Sequence, residues 1–255
     1  MSHTAVEPCE ELKDFVNHFW FAEWAEQAQH AQSTYFSSAN TLVEIAFAFD
    51  GSKKHPKLLF SSIQGQTSGY GQYPAGGFFE LFGVSLYSHA IPYLFGIPAS
   101  ALSNKFITTE ALLGNEGKIL TEKIATAIST NERINILTYF FKSKLANSQS
   151  NDKLIIKAVK RIRQYHGNIN IEKLSHDFFY SHKQFNRIFK AYSGFNPKLF
   201  ARIVRFENVL KNHAYYDNLT QAAYSYGYYD QAHFIRDFRD FSGFSPKKFF
   251  EISGY

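Results

Sequence analysis

Two arginines set 49 residues apart, Arg187 and Arg236, lie in surroundings that speak most directly to chemistry. Each sits inside the same short series. Phe185-Asn-Arg-Ile-Phe-Lys-Ala-Tyr-Ser-Gly-Phe-Asn-Pro-Lys198 recurs as Phe234-Ile-Arg-Asp-Phe-Arg-Asp-Phe-Ser-Gly-Phe-Ser-Pro-Lys247. Phe185 and Phe189 stand four residues apart and bury one stripe of a helix, as do Phe234 and Phe238. The arginine between each pair therefore points away from the core. Gly194 and Gly243 can take the left-handed conformation that ends a helix, and Pro197 and Pro246 suit the first turn of the next. Each unit is thus a short helix, a tight turn and a second helix whose exposed face carries arginine and polar groups. That is a helix-turn-helix plan, in which the second helix enters a DNA major groove.

The other residue types that could carry chemistry lack the necessary partners. The chain has 10 histidines, but His166, His176, His182, His213 and His233 share no ligand spacing with cysteine or carboxylate partners, so no metal site is expected. Cys9 is the only cysteine, which rules out an internal disulfide and a thiolate cage; it is expected to lie in a mobile leader. No nucleophile elbow or phosphate loop is present. The composition thus predicts neither an enzyme nor a bound cofactor. Trp20, Trp24 and the phenylalanines around them allow two readings, a plain aromatic core or the lining of a ligand pocket.

The elements that must position the repeat divide the chain. Lys144-Leu-Ala-Asn-Ser-Gln-Ser-Asn-Asp-Lys153 has a linker's polar composition. The expected organisation is therefore an N-terminal domain over 1–145, a linker over 146–152 and a C-terminal domain over 153–255. The charge follows this division. Residues 1–150 hold 10 Lys and Arg against 13 Asp and Glu, whereas residues 151–255 hold 17 against 9. A basic half joined to a near-neutral one suits a grafted polyanion-binding module.

The fold class is α+β. Strands are predicted at Phe15–Trp24, Thr41–Phe49, Lys57–Ile63 and Phe78–Tyr87, from their aromatic and β-branched content. Turns are predicted at Gly51, Gly65, Gly69, Gly71, Gly76 and Gly77. Helices at Glu116–Ile128 and Asn131–Leu145 close the N-terminal half. The all-α C-terminal half opens with a helix over Asp152–Tyr165, its apolar face built from Leu154, Ile155, Ala158, Val159 and Ile162. Gly167 ends it. Helices follow at Ile171–Phe178, capped by Asn170, and at Ser181–Tyr192, Pro197–Lys211, Thr220–Tyr226 and Asp230–Phe241, with a short one after Pro246. No apolar run approaches the ~18 residues of a membrane span, and the N-terminus lacks a signal-peptide pattern. A cytoplasmic location is expected.

The second unit, Tyr226-Gly-Tyr-Tyr-Asp-Gln-Ala-His-Phe-Ile-Arg-Asp-Phe-Arg-Asp-Phe-Ser-Gly-Phe-Ser-Pro246, closely resembles the C-terminal signature of the AraC/XylS family of bacterial regulators. The first, Ser181 through Pro197, is a looser match, and the resemblance spans about residues 152–251. It implies two helix-turn-helix units joined by the helix Pro197–Lys211, meeting successive major-groove segments. In the N-terminal half, Gly65-Gln-Thr, Leu81-Phe-Gly-Val-Ser-Leu and Tyr93-Leu-Phe-Gly-Ile-Pro98 resemble a domain of poorly defined role often found ahead of such units.

By this resemblance, base-edge contacts in the first unit fall to Lys183, Asn186 and Arg187, since arginine can grip guanine bidentately and asparagine suits adenine. The matching positions of the second unit are Gln231, Ala232, Ile235 and Arg236. Two of these are apolar and offer at most a thymine-methyl contact. Phosphate positioning is assigned to Arg236, Lys198, Lys247 and Lys248, and Asp230 to capping its helix. The implied function is a transcription regulator, activator or repressor, modulated through its N-terminal domain. Duplex DNA is the first partner. RNA polymerase, a small-molecule effector and a second copy of the chain are further candidates, and no membrane is expected. The helix Asn131–Leu145, with Ile134, Ile136, Leu137, Phe140 and Phe141, is the candidate dimer face; packing on its own domain is the alternative. Two other classes stand beside this reading. A DNA-repair enzyme would join the helix-turn-helix units to a methyl-accepting or glycosylase domain, the former needing several reactive or zinc-bound cysteines, and an architectural DNA binder would need no effector.

Overall fold

The computed structural model describes residues 2–24, 33–51, 57–75, 79–148, 153–213 and 219–253. The chain forms two compact units. One comprises Met1–Tyr35, Leu42–Gln66 and Tyr73–Asn151, the other Phe36–Thr41, Thr67–Gln72 and Asp152–Tyr255. Two short segments of the first 75 residues thus cluster with the helical unit, which a division along the sequence cannot show. The expected turns at Gly76 and Gly77, and the linker residues 149–152, lie outside the described residues.

The described residues form strands β1 (Ser2–Val6), β2 (Val16–Trp24), β3 (Ser33–Ser37), β4 (Leu42–Asp50), β5 (Leu58–Gln64), β6 (Gly71–Ala75), β7 (Phe79–Tyr87) and β8 (Phe106–Thr108). Six of them form one sheet in the order β1-β2-β7-β4-β5-β8, with all neighbouring strands antiparallel. The strands expected at β2, β4, β5 and β7 are all present. The leader is not mobile: β1 pairs along β2, from Ser2 opposite Glu23 to Val6 opposite Phe19. Cys9 is half-buried against the core, and the adjacent Leu12 is fully buried. Alternation along β4 buries Val43, Ile45, Phe47 and Phe49 on one face of the sheet.

That face packs on α1 (Ala90–Phe95), α3 (Asn115–Thr126) and α4 (Thr130–Ala146), through Leu120, Ile124, Leu137 and Phe141. A short α2 (Thr109–Leu113) precedes α3. Leu137 and Phe141 are fully buried in this core, and Ile134, Ile136 and Phe140 pack against it. The apolar side of α4 therefore serves its own unit, as the alternative to a dimer face expected. Gln66, of the Gly65-Gln-Thr series, is buried and donates from Nε2 to the Ala99 carbonyl and the Ser103 hydroxyl, each at 2.8 Å. The series thus fastens the loop ahead of β8.

The other sheet face carries a polar cluster. The registers place His18 and Glu44 opposite Ser85. Glu44 Oε2 accepts from Trp20 Nε1 at 2.9 Å and from Ser85 Oγ at 2.8 Å. The Trp20 ring lies across Gly83, where a Cβ would fall 2.4 Å from the indole. Trp20 belongs to this polar cluster and to neither hydrophobic core; the Trp24 side chain lies outside the described residues. Burial pushes the Glu44 carboxyl up to about 7, against the opposing effect of its two donors.

The second unit is helical: α5 (Lys153–Gln164), α6 (Ile171–Asp177), α7 (His182–Ser193), α8 (Pro197–Asn212), α9 (Leu219–Ser225), α10 (Gln231–Ser242) and α11 (Pro246–Ser253). Its core joins Ile155, Val159 and Ile162 of α5 to Phe185 and Phe189 of α7, the buried face of α8, and Phe234, Phe238 and Phe241 of α10. Leu154, expected on the apolar face of α5, is exposed, and Ile156 is buried in its place. The burial stripe runs through Ile155, Val159 and Ile162, and Leu154 lies one position off it. Gly167 ends the α5 turn at φ +77, where a Cβ would fall 2.1 Å from the Ala201 carbonyl of α8. Glycine lets α5 approach the linker helix this closely.

Candidate nucleic-acid interface

Each repeat unit builds its second helix the same way. Ser181 caps α7 by accepting from the Gln184 amide at 3.3 Å, and Asp230 caps α10 by accepting from the His233 amide at 2.7 Å. Gly194 at φ +87 and Gly243 at φ +78 end the two helices in the left-handed conformation. The phenylalanines at i and i+4 are buried in both, Phe185 and Phe189 in α7, Phe234 and Phe238 in α10. The repeat therefore predicts which sides of these helices are free.

The sequence-designated residues fall on those sides with two qualifications. Lys183 and Arg187 of α7 are exposed, as are Gln231, Ala232 and Arg236 of α10. Lys198 at the start of α8, and Lys247 and Lys248 at the start of α11, are exposed too. Among the described residues no carboxylate pairs with Lys183, Arg187, Lys198, Arg236 or Lys247, whereas Lys248 Nζ lies 3.8 Å from Glu251. Unpaired cations on an exposed face are available to an external polyanion. The first qualification is Ile235, half-buried against the unit's own core. The second is Asn186, whose amide donates to the His182 carbonyl at 2.9 Å within α7.

An ion pair that the repeat alone does not reveal fixes α10 against the linker helix α8. Arg202 donates to Asp237 through Nη2 at 2.7 Å and Nε at 3.3 Å, and its Nη2 lies 3.4 Å from Asp240. The hydrogen bond to Asp237 holds the guanidinium above its usual pKa. Asp237 is itself buried. The sequence does hold a signal: Asp237 takes the place that Ile188 takes in the first unit, a carboxylate where the fold buries a side chain. Such a carboxylate needs a cation. Above the same region Arg205 lies over the Tyr228 ring, 5.4 Å from its centroid, and donates to the Gly227 carbonyl at 3.3 Å. Burial moves the Tyr228 hydroxyl upward from its ordinary pKa.

The segments 36–41 and 67–72 brace this unit. The Ala39 amide donates to the Phe241 carbonyl at 2.8 Å, closing the last turn of α10. Phe36 meets Phe244 edge-on at 5.3 Å. Tyr70 covers Gly243, where a Cβ would fall 2.7 Å from its ring. Thr41 donates from both its amide and its hydroxyl to Glu207 of α8.

Comparison with known families separates the two halves as the sequence does. Residues 4–108 match a domain of unknown function, and residues 174–252 match a helix-turn-helix domain. Residues 174–252 are an AraC-type helix-turn-helix domain, and the chain is a DNA-binding transcription regulator. Regulators of this type are not a class of enzyme. No curated protein matches. Among solved structures, ToxT from Vibrio cholerae O395 aligns at 12% identity and a TM-score of 0.47, over 92% of this chain and 97% of that one. ToxT from strain SCE256 with an unsaturated fatty acid bound aligns at 11% identity and a TM-score of 0.48, over 93% and 96%. A ToxT complex with (E)-4-(8-methylnaphthalen-1-yl)but-3-enoic acid aligns at 11% and 0.48, over 98% of each chain. Among the described residues no cluster of His, Cys, Asp or Glu could hold a metal, and no helix is long and apolar enough to cross a membrane.

Proposed function

We propose that α7 and α10 enter adjacent major-groove segments of one duplex, with α8 as the strut between them. The supporting observation is the pair of capped helices whose outward faces carry unpaired Lys183, Arg187 and Arg236 while their phenylalanines share a core with α8. Arg187 reads guanine, Lys183 and Asn186 contribute to the same groove, and Asn186 must release the His182 carbonyl to do so. The second unit supplies Gln231, Ala232 and Arg236, with Ile235 restricted to apolar contact. Lys198, Lys247, Lys248 and Arg236 meet phosphates. The first unit therefore carries more of the sequence information and the second more of the general affinity.

The N-terminal unit modulates this binding in the same proposal. The route is short in sequence: Thr41, held by Glu207 of α8, is followed at once by β4, whose Glu44 belongs to the polar cluster on one sheet face. A small-molecule effector acting on that face, or a second copy of the chain, would bias the DNA-binding unit only through a difference in affinity between two of its states. RNA polymerase is the further partner of such a regulator, in the cytoplasm.

Selection of duplexes from a random pool by the full-length protein supplies the operator. Arg187→Ala should then cost ~1–3 kcal/mol on that operator and relax selectivity at one base pair. Lys247→Ala should weaken operator and random duplex about equally. An operator-to-random affinity ratio untouched by Arg187→Ala rejects the base-reading assignment.

A further inference from the structure

The turns that lead into the two recognition helices each expose an aromatic ring. Phe179 is 94% exposed and Tyr229 is 88% exposed. Neither side chain makes a ring contact or hydrogen bond among the described residues. Phe179 lies two positions before the Ser181 cap of α7, and Tyr229 one position before the Asp230 cap of α10.

Phe179 is held there against its backbone preference. The two turns share one pattern: the Phe179 amide donates to the His176 carbonyl at 2.9 Å and Tyr180 to Ser175 at 3.0 Å, as Gly227 does to Tyr224 at 3.0 Å and Tyr228 to Ala223 at 3.1 Å. The residue at the left-handed position is Gly227, φ +79, in the second unit and Phe179, φ +60, in the first. A bulky residue with positive φ is a true outlier, and glycine occupies the equivalent place without strain. A side chain that neither packs nor bonds within the fold, at a position where it strains the backbone, points to a partner outside the fold. Tyr229 makes the comparison sharper. It is the extra residue of the longer second turn, between Tyr228, which packs on Phe234, and the cap.

We infer that Phe179 and Tyr229 are DNA-contacting rings, each resting on deoxyribose or a thymine methyl at the edge of the groove its helix enters. The inference rests on the DNA-binding reading of α7 and α10. The N-terminal end of a recognition helix is the end that reaches the base edges, so residues just ahead of its cap lie at the groove margin. Phenylalanine suits a thymine methyl. Lys183 and Arg187, beyond the same cap, supply the charge that brings the duplex there. The contact explains why the second unit, with apolar Ala232 and half-buried Ile235 among its readers, carries a tyrosine at its entry.

The test uses the full-length protein and the duplex it selects from a random pool. Phe179→Gly should raise the melting temperature, because strain is relieved and no packing is lost, and should weaken operator binding three- to tenfold. Phe179→Tyr should restore most of that affinity, and Tyr229→Ser should weaken binding by a similar factor. The dependence of affinity on salt should keep its slope in all three, since an apolar contact releases no counterions. Replacing each thymine near the first half-site by uracil in turn should reveal one position whose methyl matters to the wild type and not to Phe179→Gly. Wild-type and Phe179→Gly affinities within twofold of each other would overturn the inference. So would unchanged DNA binding with a loss of transcription, which would place the rings on a protein partner. A wild type that selects no duplex would instead reject the DNA-binding geometry on which the inference stands.

Discussion

Thr41 and Glu207 stand 166 residues apart in the chain and meet through one carboxylate oxygen, Glu207 Oε1, which accepts the Thr41 amide at 2.6 Å and the Thr41 hydroxyl at 2.7 Å. Arg163 of α5 closes the group, with its Nη2 at 2.5 Å from the same hydroxyl and its Nη1 3.6 Å from Glu207 Oε2. Thr41 is fully buried. Its amide has no water to fall back on, so the carboxylate satisfies a donor that would otherwise be costly to bury. The consequence is that the linker helix of the DNA-binding unit recognises the chain immediately before β4.

Removing that carboxylate should be expensive for its size. Glu207→Ala leaves the Thr41 amide and hydroxyl without their acceptor and deprives Arg163 of its counter-charge, a loss of about 2 kcal/mol. Glu207→Gln keeps an acceptor oxygen and should lose roughly half as much. Urea denaturation of the full-length protein checks both. Equal losses in the two variants would mean that charge, not acceptor geometry, holds Thr41.

The repeat made the DNA-binding unit legible because its signals are local. Phe-x-x-x-Phe spacing, a glycine three residues before a proline and a capping Ser or Asp each act within a turn or two of helix, and the structure places α7 through α11 accordingly. What the sequence concealed depends on distant partners. Nothing around Phe36 or Tyr70 indicates that their rings cover Phe244 and Gly243. The leader residues looked mobile because β1 is short and polar, and only the β2 edge gives it order. Leu154 shows the limit of periodicity, since one residue of rotation separates buried from exposed.

Arg202 and Asp237 should show the asymmetry of an ion pair with one buried member. The Asp237 side chain is 2% exposed and that of Arg202 is 30% exposed. Arg202→Ala takes from a buried carboxylate its arginine, leaving His233 Nε2 at 3.7 Å, and should cost about 3 kcal/mol, with weaker operator binding because α10 loses its tie to α8. Asp237→Asn leaves an arginine that still reaches Asp240 and should cost less, about 1–2 kcal/mol. Thermal melts of the two variants give the order, and the reverse order would reject this account of the pair.

Glu44 should make stability fall as pH rises. Its folded-state pKa of about 7 lies above the ordinary carboxyl value of 4.5. Between those two values the native state binds more protons than the unfolded chain, so stability is highest below about pH 4.5 and is lost as pH rises through 7. With its partial exposure, the contribution is about 2 kcal/mol. Glu44→Gln keeps an acceptor for Trp20 and Ser85 but does not titrate. The wild type should therefore lose more stability than Glu44→Gln between pH 5 and 7.5. Parallel stability–pH curves would show that the carboxyl titrates normally.

The bracing segments also predict how the fragment 151–255 behaves in isolation. It retains both helix-turn-helix units and the cluster of 17 Lys and Arg against 9 Asp and Glu, so it should bind duplex DNA with an affinity that falls steeply as salt rises, by counterion release. It lacks residues 36–41 and 67–72, however. The Phe241 carbonyl then loses the Ala39 amide, Phe244 loses Phe36, Gly243 loses Tyr70 and Glu207 loses Thr41. Whole segments are removed here, so the freed groups regain water and each lost hydrogen bond costs only about 1 kcal/mol. This contrasts with Glu207→Ala, where the Thr41 donors stay buried. The losses concentrate at the end of α10 and the start of α11. Hydrogen exchange should thus show lower protection over residues 236–245 in the fragment than in the full-length protein, with α7 little changed. The fragment's DNA affinity should fall mainly through the second unit, so that Arg236→Ala matters less in the fragment than in the full chain. Equal protection of α10 in both forms would mean that the helical unit needs no brace.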